Sequence, residues 1–459
     1  MDRALQFADR RPFVFFLLPF VVYMVNFREI SNGDPTPTVF IALSLLTDGD
    51  LYLDELRGYI PYSKVPYYIS EHRGHILSNY PVVPGVLAVP VFLPAVLFDL
   101  IRPEAGDLSW RFFSKSAGSV FTSLSVLMLF LTLRRLTTIG GAALTSVAYA
   151  FGTASWPISS QSLWQHGPSC LLWMLLLYSL VRANAADYGV RQPCCRAQAQ
   201  LAHSKSIQRW LALAGLSAGL AVGCRLVSLV PLLLVLAAVC RRWGGRGFAC
   251  YLSFFLPPVA LLLAYNFYFF GNWNGGLSTV LDLRWYLDRV EGGVWDTPLL
   301  VGCAGNLVSP SRGLLIFSPF LIFSMWGMVR VWKRDCADLY VYRSLAWVPL
   351  VLLSIFGKYT VWWGGNAHYG PRYQIEMLPV LMFFVGLGWT WFSRRKSLVV
   401  LFSVLLVYAV FVQWIGAFCY PSNWAIEPVD ISVDNSRYWD WSYNQIVTCL
   451  RSGIKPRLF

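Results

Sequence analysis

Long apolar runs separated by short polar clusters organise this chain. Stretches such as VFTSLSVLMLFLTL, LVSLVPLLLVLAAV and SLVVLFSVLLVYAVFV recur along its whole length, each approaching the roughly 20 residues that carry an α-helix across a bilayer. The pattern predicts spanning helices near 12–27, 113–135, 139–157, 168–183, 209–223, 226–241, 247–268, 313–332, 341–357, 374–392 and 397–415. The basic clusters LRRL, RRWGGR, VRVWKRD and SRRK, with the linker RQPCCRAQAQLAHSKSIQR, then fall on one side. Excess Lys and Arg mark that side as cytoplasmic. The expected fold is an all-α polytopic membrane protein of about eleven transmembrane helices, its N-terminus inside and its C-terminus outside.

One apolar stretch does not fit the count. Residues 81–101, PVVPGVLAVPVFLPAVLFDLI, are long enough to span, but a crossing here would invert every later loop. Pro81, Pro84, Pro90 and Pro94 also remove helical hydrogen bonds that lipid cannot replace. The segment is expected to be a broken, re-entrant or interfacial element on the outer side. Polar material there collects in a first loop at 28–112, in loops at 269–312 and 358–373, and in the tail from 416. Loops this long usually carry function in compact proteins. The expected division is a transmembrane unit over 1–415 and an extracytoplasmic tail over 416–459 packed on the outer face.

Composition narrows the class. Of 459 residues, 56% are hydrophobic, 16% aromatic and 13% charged, against about 25% charged in soluble domains. The formal charge of +13 lies in clusters between apolar segments, a consequence of topology rather than a nucleic-acid face. The basic flank and apolar run of the first residues lack a small-residue cleavage site, as in an uncleaved signal anchor. Ten cysteines show no metal or redox spacing. Cys419 and Cys449 share the tail and are either a pair or two free thiols.

Candidate chemistry gathers at the outward ends. In SNGDPTPTVF, Asp34 precedes Pro35, a pair suited to capping a short amphipathic helix over TPTVFIALSLL on the membrane surface. The same acid is placed to take a proton, and the two roles can coexist. Asp48, Asp50, Asp54 and Glu55 imitate calcium-loop spacing but lack the remaining ligands, and read as a solvated turn. Arg73 and His75, in EHRGHILSNYP, either hold a lipid phosphate or sit at headgroup level. SSQSLWQHGP offers Gln165 and His166, AVGCRLVSLV puts Arg225 in a tight turn between membrane helices, and SPSRGLLIFSP places Arg312 at a helix start. WWGGNAHYGPRY contributes Trp362, Trp363, His368, Tyr369 and Arg372. A charge in or near hydrocarbon is costly and by default has a partner or a function. Such a set suits an anionic, lipid-linked substrate, although Arg225 can snorkel to water and tryptophans gather at interfaces without any ligand.

The order of a first helix, a long outer loop with an early acid, a YP...PG...P element, a WQHGP turn and a late GGxxxGPRY loop resembles the GT-C superfamily of membrane glycosyltransferases. These use polyprenyl-phosphate sugars, and the chain looks most similar to bacterial relatives of protein mannosyltransferases and of the aminoarabinose transferase of lipid A. The resemblance implies a GT-C-like bundle whose long first extracytoplasmic loop contains juxtamembrane or re-entrant helices. It also implies an extracytoplasmic active site in a bacterial inner membrane. The early acid would be the catalytic base, which is Asp34. Glu29 is its rival, because the adjacent acid pair of many relatives is replaced by REISNGD. Arg225, Arg312, His166, Arg372 and Arg73 would bind the donor phosphate. His75, Gln165, Trp362, Trp363, His368 and Tyr369 would bind sugar or acceptor, with Trp273 and Trp424 as further stacking surfaces.

The WQHGP turn lacks the acid found there in some relatives, so no metal cofactor is expected. With one base and no second carboxylate as nucleophile, transfer would invert the anomeric carbon. The absence of a Gly-rich phosphate loop favours a lipid monophosphate donor over a nucleotide. Expected partners are that donor, a glycan, lipid or protein acceptor, and membrane lipids, with no nucleic acid. The alternatives are a lipid-linked sugar flippase or exporter, and a glycan polymerase or ligase outside the superfamily. A carrier would place ionisable groups near mid-membrane, whereas the middles of most predicted spans here are free of charge.

Overall fold

The computed structural model describes residues 9–31, 33–58, 66–101, 109–190, 197–281, 293–333 and 339–455. Residues 191–196 of the basic linker lie outside them. The helices are α1 Val14–Met24, α2 Thr36–Thr47, α3 Val83–Leu97, α4 Ser109–Leu133, α5 Ile139–Gly152, α6 His166–Val190, α7 Ala197–Cys224, α8 Leu229–Phe270, α9 Leu299–Val308, α10 Ser324–Lys333, α11 Tyr340–Lys358, α12 Leu378–Phe392, α13 Lys396–Cys419 and α14 Gln445–Arg451, with shorter turns between. Strands β1 (Ile69–His72) and β2 (His75–Ser78) form an antiparallel hairpin in the first loop.

Among the described residues, seven helices are long and apolar enough to cross a membrane, and the chain is an integral membrane protein. Length alone gives fewer crossings than the pattern does, because α1 and α5 are short, α8 comprises two arms and the segment predicted over 313–332 is interrupted. The arms meet at Gly244, whose φ of 65° and ψ of −167° leave the helical region. They match the two segments predicted on either side of RRWGGR.

Three local expectations change. The proline-rich stretch is one continuous helix, α3, rather than a broken element. Pro84 lies in its first turn, where no N–H partner is needed, and Pro90 and Pro94 are four apart, so their missing bonds fall on one side. At 15 residues α3 remains shorter than a span. Helix α2 is not an amphipathic surface helix, since every residue from Pro37 to Ser44 is buried. It packs against α3, and Phe40 meets Trp110 edge to face with centroids 5.7 Å apart. The span predicted over 313–332 is interrupted at Ser318 (φ −144°, ψ 64°) and Pro319 before α10 begins. Gln413 donates to the freed Phe317 carbonyl at 2.9 Å, and Ser318 Oγ to Gly152 O at 2.7 Å. Such side-chain bonds are what broken backbone needs at membrane depth.

The bundle has two unlike ends. Where α4, α6 and α12 finish and α7, α11 and α13 begin, arginines lie over aromatic faces: Arg182 on Trp210 at 4.3 Å, Arg241 on Tyr340 at 4.3 Å and Arg395 on Trp391 at 5.0 Å. The opposite end carries the first loop, the starts of α6 and α12, and the tail. Close packing between the ends depends on small residues, as in many membrane bundles. A Cβ added at Gly215 of α7 would lie 2.1 Å from the Tyr251 carbonyl oxygen of α8, and one at Gly219 would lie 2.4 Å from that of Phe255.

Overpacking of this kind typically costs about 1–3 kcal/mol. Gly215→Val is therefore expected to lower the unfolding temperature of the detergent-solubilised protein. Gly245→Ala, where nothing stands within 4 Å of the added carbon, should leave it unchanged.

Candidate functional site

At the end opposite Arg182, Arg241 and Arg395, the chain folds its charges together. Asp34 lies between α1 and α2, but the N-cap position of α2 is Pro35, not Asp34. The expected capping role is replaced by long-range contacts: Tyr67 donates to one carboxylate oxygen and Arg372 Nη2 to the other. Burial and the neighbouring carboxylate push the Tyr67 phenol well above its ordinary range, so this donor keeps its proton. Arg372 stacks on Trp164 at 4.4 Å and donates through Nη1 to Gly364 O at 3.4 Å.

A second ion pair adjoins the first. Glu376, four residues after Arg372 and fully buried, accepts from Arg225 Nε at 3.2 Å and contacts His166 Nδ1 at 2.7 Å. His166 Nε2 faces Arg372 Nε at 3.3 Å. Nδ1 thus faces the Glu376 carboxylate and Nε2 the Arg372 guanidinium. Arg225 Nη1 approaches the same ring at 3.1 Å. The exposures have a direction: the Glu376 and His166 side chains are 0% and 1% exposed, whereas those of Arg225 and Arg372 keep 12% and 11%. The acid and imidazole form a buried backing, and both guanidinium groups stand in front. Beside them, Asn79, Tyr80, Leu226, Leu262, Asn266 and Phe270 line a cleft.

Local sequence explains the placement. A Cβ at Gly118 of α4 would lie 2.2 Å from the Ser162 carbonyl oxygen, so glycine there lets α4 seat the segment that presents Trp164 and His166. Left-handed Gly364, Gly365 and Gly370 (φ 87°, 94° and 69°) turn the chain tightly before Arg372.

The other candidates go elsewhere. Glu29 accepts from Ser162 Oγ at 2.6 Å and Ser114 Oγ at 3.3 Å. Burial raises its pKa against the effect of those hydroxyls and of Arg111. Nearby, buried Lys115 donates to Gln161 at 2.6 Å. Arg312 is 1% exposed and joins the tail, donating to Gln445 Oε1 at 2.6 Å beneath Trp424 and Tyr438. Gln445 also donates to His368 O at 2.8 Å. His368 is buried, and burial with the charges of Arg312, Arg372 and His166 holds its pKa well below the usual value. Trp362, Trp363 and Trp424 form a small core with Tyr438, and Tyr369 is buried with its hydroxyl on Val412 O at 2.9 Å. These rings are committed to packing rather than presented for stacking, while Trp273 is 61% exposed. Gln165 is half-buried beside His166.

Arg73 occupies the exposed hairpin turn with φ 52°, and His75 contacts Asp54 at 2.6 Å and stacks on Tyr52. Neither joins the Asp34 cluster. Cys419 and Cys449 are buried free thiols. No group of three metal-ligating side chains occurs among the described residues. Glu376, Tyr67 and Trp164 escaped the sequence reading. Glu376 carried a signal, an isolated acid at the start of an apolar segment, whereas Tyr67 and Trp164 are ordinary interfacial aromatics.

No protein-family model matches the sequence, and no curated protein matches it. Solved structures do. An Archaeoglobus fulgidus oligosaccharyltransferase tethered to an acceptor peptide aligns with TM-score 0.55 and 12% identity over 93% of this chain and 59% of that one. ArnT from Cupriavidus metallidurans bound to undecaprenyl phosphate aligns with TM-score 0.50 and 15% identity over 93% of this chain and 67% of that one. The chain thus spans less than two thirds of the first protein's length. The chain shares the overall fold of these two proteins.

Two measurements probe this end of the molecule. Removing one partner of a buried ion pair costs about 3–5 kcal/mol, so Glu376→Ala should lower the unfolding temperature sharply and Glu376→Gln less. In the first loop, burial and then Asp48 raise Glu55 from 4.5 to about 7. The folded chain therefore holds a proton that the unfolded chain releases, and stability falls as pH rises through that window. Glu55→Gln should raise the unfolding temperature at pH 8 by about 1–2 °C after allowance for solvent screening, with little change at pH 4.

Proposed function

We propose that the protein is an inverting glycosyltransferase that moves a sugar from a polyprenyl-phosphate donor to an acceptor at the outer face of the membrane. One observation carries this reading: a carboxylate, two arginines and a histidine from four distant segments converge at one end of a GT-C bundle, opposite the end rich in exposed basic clusters. The positive-inside rule supports reading that end as extracytoplasmic. The undecaprenyl phosphate bound by the structurally similar ArnT is the kind of donor carrier the arginines suit.

In this mechanism the acceptor hydroxyl gives its proton to Asp34 as its oxygen attacks the anomeric carbon. The bond from that carbon to the phosphate oxygen breaks, and its electron pair leaves with the lipid phosphate. Arg225 and Arg372 stabilise the developing charge, an interaction worth on the order of 3 kcal/mol per donor group. Their fork geometry fits phosphate oxygens two at a time. Glu376 and His166 fix the guanidinium groups from behind and remain clear of the reacting atoms. Arg312, tied to Gln445 and covered by aromatic rings, holds the tail against the 364–370 turn. Glu29, enclosed by Ser114 and Ser162 beside Lys115, is a weaker choice for the base than Asp34. We assign the 416–459 tail to the outer face as a cover for this site.

Asp34→Asn should reduce sugar transfer from a synthetic polyprenyl-phosphate donor by about 10²–10⁴-fold, read per folded molecule because loss of the charge opposite Arg372 also lowers the unfolding temperature. Glu29→Gln should retain most activity. Near-wild-type transfer by Asp34→Asn would remove Asp34 as the base.

A further inference from the structure

We propose that Asp34 is the resting occupant of a phosphate site on Arg372, and that an arriving phosphate group displaces it and thereby frees the base. The inference rests on the function proposed above and concerns how that site is switched on. Both Asp34 oxygens are engaged, one by Tyr67 and one by Arg372. A carboxylate whose two oxygens already accept from a phenol and a guanidinium has fewer lone pairs directed at an incoming hydroxyl. In the resting arrangement the acid therefore stands beside the reaction centre without being available to it.

The geometry permits exchange at one ion pair and opposes it at the other. Glu376 is 0% exposed and held by Arg225 and His166 together, so leaving would strand a buried charge. Asp34 lies in front, with 6% of its side chain exposed against a guanidinium that is 11% exposed. Arg372 is fixed by Trp164 beneath its plane, by His166 and by Gly364 O. When an anion competes for it, the carboxylate is the mobile partner. A phosphate monoester or diester offers more acceptor oxygens than a carboxylate and pairs strongly with arginine. Tyr67 remains to orient the released acid. The same event seats the leaving group and exposes the base, so proton abstraction waits for the donor.

The test is carboxyl labelling of the full-length protein in lipid nanodiscs, using a water-soluble carbodiimide and an amine, with Asp34 modification read by peptide mass spectrometry. The arms are no addition, undecaprenyl phosphate, undecaprenol and inorganic phosphate. Asp34 labelling should be low at rest, rise several-fold and saturably with undecaprenyl phosphate, and stay low with undecaprenol. Arg372→Gln should label strongly without any addition, and the wild-type titration decides the matter if that variant does not fold. A rise with inorganic phosphate as well supports exchange driven by the phosphate group alone, and a rise confined to the lipid supports exchange driven by the headgroup the lipid presents. Equal labelling in all arms, or lower labelling with undecaprenyl phosphate, overturns the proposal. Because labelling needs no sugar transfer, it can fail while Asp34→Asn still abolishes activity, and the reverse also holds.

Discussion

The contact between Asp34 and Arg372 joins residues 338 positions apart, and the functional end of the molecule is organised around it. At rest each charge answers the other, because an unpaired ion in a low-dielectric site costs several kcal/mol. The first loop and the 358–373 turn must therefore meet where they do. The adjoining pair of Glu376 with Arg225 extends the same constraint to the α7–α8 turn and the start of α12. His166, in contact with Glu376 and both arginines, makes the two pairs one network.

The helices supply what that network needs, a rigid and water-poor frame. Glycines at 118, 215 and 219 let backbones approach within the radius of a side chain, and in the interrupted segment before α10 Gln413 satisfies the free Phe317 carbonyl while Ser318 Oγ donates to Gly152 O of α5. The tail contributes a second layer, since Gln445 ties α14 to Arg312, to His368 and to the Gly370 amide. These contacts leave the two guanidinium faces as the cationic front of the site, and the proposed chemistry depends on that front.

Much of this was legible beforehand for a physical reason. Apolar period and basic clustering report directly on lipid contact and sidedness, so the spans near 113–135, 341–357 and 397–415 match α4, α11 and α13 closely. Arg225 and Arg372 stood out because charge beside hydrocarbon demands a partner. The identity of the partner was not legible. Glu376 follows Arg372 by one helical turn, but its contact with His166 requires two segments 210 residues apart to pack. The aromatic rings misled in the opposite direction. Trp362 and Trp363 satisfy an interfacial pattern equally well whether they face a sugar or a tail, and only the position of Tyr438 and Trp424 decides it. For the same reason α2, apolar on nearly every face, could not be distinguished by periodicity from a surface helix until α3 was seen to cover it.

The central claim is that the arginines at this end form a phosphate site. A cryo-electron microscopy map of the protein in nanodiscs with undecaprenyl phosphate tests it most directly. The account predicts phosphate density bounded by Arg225 and Arg372, within hydrogen-bonding distance of both, with the prenyl chain leaving past Leu226 and Leu262. Phosphate density at the opposite end, among Arg182, Arg241 and Arg395, with the Asp34 cluster empty, would contradict it.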